Sequence, residues 1–203
     1  MQRFPLGAVG VVWLVFVAVT LLGGGVAEAV KNLDKVLKGQ YRSNFFLSCA
    51  QNDLDGFGAD FKYLNTTPPH GGKFRTFATR GTRTYNGDGT GSAAIVSLIV
   101  FDDDAPGDVA VIQSSLNCNL TYSVNADLSF TEIVSCSGTI NTGPDAGDQF
   151  TVTGIVLNGQ ISPKGDVLGF SDTGTNVETF TNTTQGITFV RICGRSGSAI
   201  KVK

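Results

Sequence analysis

Between Asn117 and Cys136 the chain reads NCNLTYSVNADLSFTEIVSC, and its strict alternation leaves little freedom of fold. Side chains alternate across a strand with a period of two, so Leu116, Cys118, Leu120, Tyr122 and Val124 share one face. Ser115, Asn117, Asn119, Thr121 and Ser123 share the other. The return segment repeats the pattern, with Leu128, Phe130, Glu132, Val134 and Cys136 opposed to Ser129, Thr131 and Ser135. A reversal at 125–129 sets Val124 across from Phe130, Tyr122 from Glu132, Leu120 from Val134 and Cys118 from Cys136. The pairing that buries the apolar face thus brings two sulfurs together, and a Cys118–Cys136 disulfide is predicted. Glu132 is the exception on that face. A buried carboxylate must be paired, hydrogen-bonded or neutral, because an isolated buried charge costs several kcal/mol or more.

The rest of the chain repeats this grammar. Turn clusters such as YNGDGTG, DDDAPGD, NTGPDAGD, SPKGD and NTTQG separate runs rich in Val, Ile, Thr, Phe and Tyr. Such spacing predicts short antiparallel strands near 40–50, 73–85, 90–102, 109–124, 128–141, 149–161, 165–172, 176–182, 186–194 and 198–202. Val30, Leu33, Val36 and Leu37 predict one short helix ended by Gly39. The expected fold is all-β: a single, mostly up-and-down closed barrel of 8–10 strands after a short N-terminal helix. Cys49 and Cys193 fall in the first and penultimate predicted strands. Closure makes the chain ends neighbours and removes exposed edges, so a Cys49–Cys193 disulfide is predicted to seal the seam. In SAAIVSLIVF, Ala94, Val96, Leu98 and Val100 face one way and Ile95, Ile99 and Phe101 the other. That strand is expected to be covered on both sides, by the N-terminal helix or by a second copy in a homo-oligomer through strand 94–101.

The chain opens with Arg3, an uncharged apolar run from Val9 to Leu22, a glycine break, and Ala27-Glu28-Ala29. This is the layout of a secretory signal peptide, predicting a leader at 1–29, a single domain at 30–203, no membrane span after cleavage, and a secreted or periplasmic location. Four cysteines in an exported chain favour two disulfides, and no C-x-x-C or C-x-H spacing supports a metal. A formal net charge of −2, with its charges scattered, lacks the basic surface that nucleic acid requires. No nucleotide fingerprint, nucleophile elbow or cofactor motif is present, and His70 is the only histidine. Asn86-Gly87 reads as a hairpin turn, since a calcium loop there would need an acid where Ser97 stands. Asp102, Asp103, Asp104 and Asp108 share one acidic turn, read as solvated with calcium as the sharper alternative. Asn65, Asn119 and Asn182 begin glycosylation sequons.

With LKGQY before the first strand, GTRTYNGDGTGS and LTYSVNADLSFT as hairpins and VRICGRSG near the end, the chain resembles lipocalin-like small barrels of the calycin and allene-oxide-cyclase type. In such barrels a Gly-x-Trp opens the first strand and a basic residue on a late strand packs against it. Gly39-Gln40-Tyr41 puts tyrosine in the tryptophan's place, and the resemblance implies Arg191 or Arg195 as its basic partner. It also implies a small apolar or amphipathic ligand in the interior, with Glu132, Tyr122, Arg191 and Tyr41 as candidate ligand-binding residues. Two alternatives stand beside this non-enzymatic function. One is a structural or adhesive envelope module with a filled barrel. The other is an isomerase-type enzyme using Glu132 and Tyr122.

Overall fold

The computed structural model describes residues 33–52, 56–62, 64, 73–102, 109–172 and 176–203. The predicted leader lies outside the described residues, as do His70, Asn65, Asp103, Asp104 and Asp108. One 3-10 turn, Asp34–Leu37, precedes nine strands: β1 (Gly39–Asn52), β2 (Lys73–Tyr85), β3 (Thr90–Asp102), β4 (Val109–Val124), β5 (Ser129–Ile140), β6 (Gln149–Ile161), β7 (Val167–Ser171), β8 (Val177–Asn182) and β9 (Ile187–Lys201). All pairings are antiparallel; β1 to β7 pair in succession, and β9 pairs with β1 to close the sheet. β7 and β8 lie end to end between β6 and β9. β7 pairs the later parts of both neighbours and β8 the earlier parts. Together they form one broken stave, so the fold is a closed up-and-down barrel of eight staves.

The register through the cysteines is the one the alternation requires. Val124 opposes Phe130, Tyr122 opposes Glu132, Leu120 opposes Val134 and Cys118 opposes Cys136. Both disulfides are present, Cys118–Cys136 within the hairpin and Cys49–Cys193 across the β1/β9 seam, each with Cα atoms 4.0 Å apart.

Two sequence expectations are corrected. The segments 186–194 and 198–202 are a single strand, because Gly-Arg-Ser-Gly stays extended instead of turning. Gly197 lies directly across from Phe45, and a Cβ there would come within 2.5 Å of both the ring and the Asn44 carbonyl. The glycine therefore seats an inward phenylalanine rather than ending a strand. Gly138 opposite Phe150 and Gly159 opposite Phe130 do the same, with clearances of 2.6 and 2.5 Å. Second, the described part of the predicted helix is only the four-residue 3-10 turn. It is pinned across one barrel end, where Asp34 Oδ1 accepts the Val124 N–H at 3.1 Å and the Tyr122 hydroxyl donates to the Asp34 carbonyl at 3.2 Å. Leu37, its last residue, is fully buried.

No described residue covers the outward face of β3. Leu98 is 44% exposed and Val100 36%, while Ile95 and Ile99 point inward against the core. Phe46 on β1, Phe74 on β2 and Val111 on β4 are exposed too, on the same outer wall.

The two barrel ends differ. At the end carrying the 3-10 turn, the connections 86–89, 125–128 and 162–166 are tight. At the other end lie the longer connection 141–148 and the turn 183–186. The closed end is packed solid by Phe45, Phe130 and Phe170, whose rings meet at 4.8 and 5.2 Å, and by Tyr41, Tyr85 and Tyr122 edge to face.

Candidate functional site

Glu132 sits within the closed end and is fully buried. Its carboxylate accepts from Arg83 Nη1 at one oxygen and from the Tyr85 hydroxyl at 2.5 Å at the other. Arg83 and Tyr85 both reach inward from β2, being two residues apart on one strand face. The Arg83 guanidinium lies 4.8 Å from the centroid of Phe45 and 5.3 Å from that of Phe170. Burial, reinforced by Glu132, raises the Tyr85 phenol well above its ordinary range. Burial, with Tyr122 and Asp166 nearby, pushes Tyr41 up to about 12. These phenols stay neutral and act as hydrogen-bond donors, Tyr41 to the Gly165 carbonyl at 2.6 Å. The cation beside the Tyr41 ring is Lys201, at 5.6 Å from its centroid.

A second ionic cluster lies behind the broken stave. Glu178 on β8 is fully buried and takes Arg191 Nε at 2.9 Å on one oxygen and Arg195 Nη2 on the other. Arg195 Nη1 continues to Asp172 Oδ2 at 2.9 Å. Two carboxylates thus balance two guanidinium groups, which is the condition for holding charge inside a barrel. The seam disulfide is part of this layer, with Cys193 Sγ 3.7 Å from Glu178 Oε2. Side-chain ion pairs thus tie Asp172, just after β7, and Glu178 on β8 to β9.

Above this layer the interior opens. A cavity of about 310 Å³ reaches the end that carries the 141–148 connection. Its walls include Phe77, Ile99, Ile112, Ile140 and Val152, with Arg75 and Arg191 among them and Asp145 and Gln185 toward the rim. One wall is aromatic: Phe150, Phe180 and Phe189 stack at centroid distances of 4.9 and 4.5 Å, with ring planes within 17° and 9° of parallel. Arg75 lies 5.8 Å from the Phe189 centroid, and Arg191 lies 5.3 Å from that of Phe77. Burial lowers the pKa of both guanidinium groups, with their mutual repulsion adding at Arg75 and with Glu178 opposing it at Arg191.

The four residues singled out in the sequence fall in two places. Glu132, Tyr122 and Tyr41 gather at the closed end, away from the cavity lining, and Arg191 alone lines the cavity. Arg191 stands opposite Gln51 on β1 whereas Tyr41 stands opposite Lys201, so the strand register keeps Arg191 and Tyr41 apart. Sequence reasoning missed Arg83, Tyr85 and Glu178. Their signal was an inward parity: Arg83 and Tyr85 share a face, as Glu178 does with Phe180, by the rule that exposed Glu132 as odd. Asn182 is buried and donates to Asp148 Oδ2 at 2.8 Å, whereas Asn119 lies exposed on the outer wall. At the 86–89 hairpin, the Asp88 carboxylate is turned onto the Thr90 N–H and hydroxyl. Among the described residues no group of three His, Cys, Asp or Glu side chains is placed to hold a metal, and no helix is long and apolar enough to cross a membrane.

Among the described residues the architecture is a closed antiparallel β-barrel, plugged at one end and hollow toward the other. No protein-family model matches the chain, and no curated protein matches it. Among solved structures it is similar to the enduracididine biosynthesis enzyme MppR, complexed with the condensation product of pyruvate and imidazole 4-carboxaldehyde. That likeness has 8% identity and a TM-score of 0.21 over 80% of this chain and 87% of that one, and it carries no argument.

Proposed function

We propose that this chain is an exported, non-enzymatic, lipocalin-like barrel that holds a small apolar or amphipathic molecule at its open end. The observation that carries the proposal is the cavity of about 310 Å³. Its size is at the lower end of small-molecule sites, and its apolar walls carry a few polar groups, the composition such sites share. Two disulfides suit an oxidising compartment, which supports export together with the leader-like N-terminus. The isomerase alternative loses support because Glu132 is engaged by Arg83 and Tyr85 away from the cavity. Native mass spectrometry of the protein purified without delipidation should show a small adduct that denaturation releases. Absence of an adduct, together with no saturable binding of an anilinonaphthalene-sulfonate probe, would overturn the reading.

A second reading concerns the outer wall. Large apolar side chains exposed together on one wall mark a surface for association. We propose that a second copy of the chain covers Phe46, Phe74, Leu98, Val100 and Val111, making a homodimer through strand 94–101. Light scattering should give a dimer mass that Leu98→Lys reduces to a monomer; a monomeric wild type across concentrations would refute it.

A further inference from the structure

We propose that Arg191 anchors the carboxylate of the cavity's ligand, and that this ligand is a compact aromatic monocarboxylic acid. The inference rests on the cavity being a ligand site and adds the chemistry that the site selects. Arg191 has five N–H donors in a rigid planar fork. Its Nε is committed to Glu178 Oε2 at 2.9 Å, and its two terminal nitrogens make no hydrogen bond to any described residue. The side chain is nevertheless only 9% exposed. Arg191 lines the cavity and Glu178 does not, so Glu178 grips the rear edge while the terminal edge fronts the open space. The guanidinium plane is held by rings, 5.3 Å from the centroid of Phe77 and 6.0 Å from that of Phe180.

A fork gripped on one edge and braced by aromatic faces presents two parallel donors at a fixed angle, the geometry a carboxylate accepts bidentately. A neutral apolar guest would cover that edge and leave charged donors buried without acceptors, at a cost a carboxylate avoids. The guest's body is specified by the wall beside the fork. Phe150, Phe180 and Phe189 already form a near-parallel stack, and a flat ring extends it at little entropic cost. Ile99, Ile112 and Ile140 complete the apolar lining. Arg75 adds a second cation to the walls, and Asp145, bound by Gln185 Nε2 at 3.1 Å, places a carboxylate near the rim. The limited volume disfavours long-chain acids and suits a ligand of one or two fused rings.

The test is a titration at neutral pH with 2-naphthoate and its neutral isostere 2-naphthamide, followed calorimetrically on the intact, oxidised protein. The wild type should bind the acid at least tenfold more tightly than the amide. Arg191→Gln should abolish that preference while leaving amide binding within about twofold. A Glu178→Gln, Arg191→Gln double variant supplies the same comparison where the single change leaves a buried carboxylate short of a partner. Equal binding of acid and amide by the wild type, or a preference that survives loss of Arg191, would overturn the anchor while leaving the cavity as a binding site. Binding of neither probe would overturn the aromatic-acid ligand, while the cavity reading stands or falls on the native adduct and the anilinonaphthalene-sulfonate titration.

Discussion

Replacing Cys49 and Cys193 together by serine is expected to lower the thermal unfolding midpoint by on the order of 10–20 °C. The bond closes a loop with a sequence separation of 144 residues. Chain-entropy arguments give about 5 kcal/mol for a loop of that length and about 3 kcal/mol for the 18-residue separation of Cys118–Cys136. For a domain of this size each kcal/mol moves the midpoint by about 2–4 °C. The larger effect is therefore assigned to the seam, where β1 meets β9 and nothing local in sequence holds the strands together. In the hairpin, the tight turn at 125–128 sets the same register without the sulfurs. Calorimetric scans of the two double-serine variants would check the ranking, and an equal or reversed effect would contradict it.

The second large effect is expected at Glu132. Glu132→Ala strips Arg83 of its counter-charge at a position where neither side chain reaches water. Breaking a buried pair from one side costs about 3–5 kcal/mol, because the remaining charge stays uncompensated. The expected signature is a midpoint lowered by roughly 10 °C or more, by the same conversion. The double variant Glu132→Met, Arg83→Met removes both charges and should recover most of the loss. A stability loss in Glu132→Ala that the double variant does not recover would show that the pair is not the unit. Binding at the open end should change little in either variant, since Glu132 does not line the cavity.

What was legible in the sequence was whatever a turn and a period of two determine together. The 118–136 hairpin needed only local information, and its register followed residue by residue. The seam disulfide was legible one level up, because closing an antiparallel sheet brings the first and last strands into contact. The partners of Glu132 were not, since Arg83 is 49 residues away and reaches it across the interior. Parity says that a side chain points inward; it does not say which of seven other staves it meets there. Arg191 shows the same limit, for its inward direction was readable while its partner, Glu178, belongs to a strand paired at its flank. Gly194 to Gly197 misled for another reason. Glycine signals a turn when its backbone freedom is used, but Gly197 is present for the space it leaves beneath Phe45.

The seam has a further consequence for the order in which the staves must be made. Tyr41 at the start of β1 lies opposite Lys201 at the end of β9, so the described barrel's two ends are side by side on the plugged rim. A ring of staves has no privileged first member. Joining those ends and reopening the chain at 183–186 yields a circular permutant that keeps every ladder, with β9 leading into β1 as a hairpin. In that permutant the long-range clasp between Cys49 and Cys193 becomes a local staple, and the distinction between the two disulfides disappears.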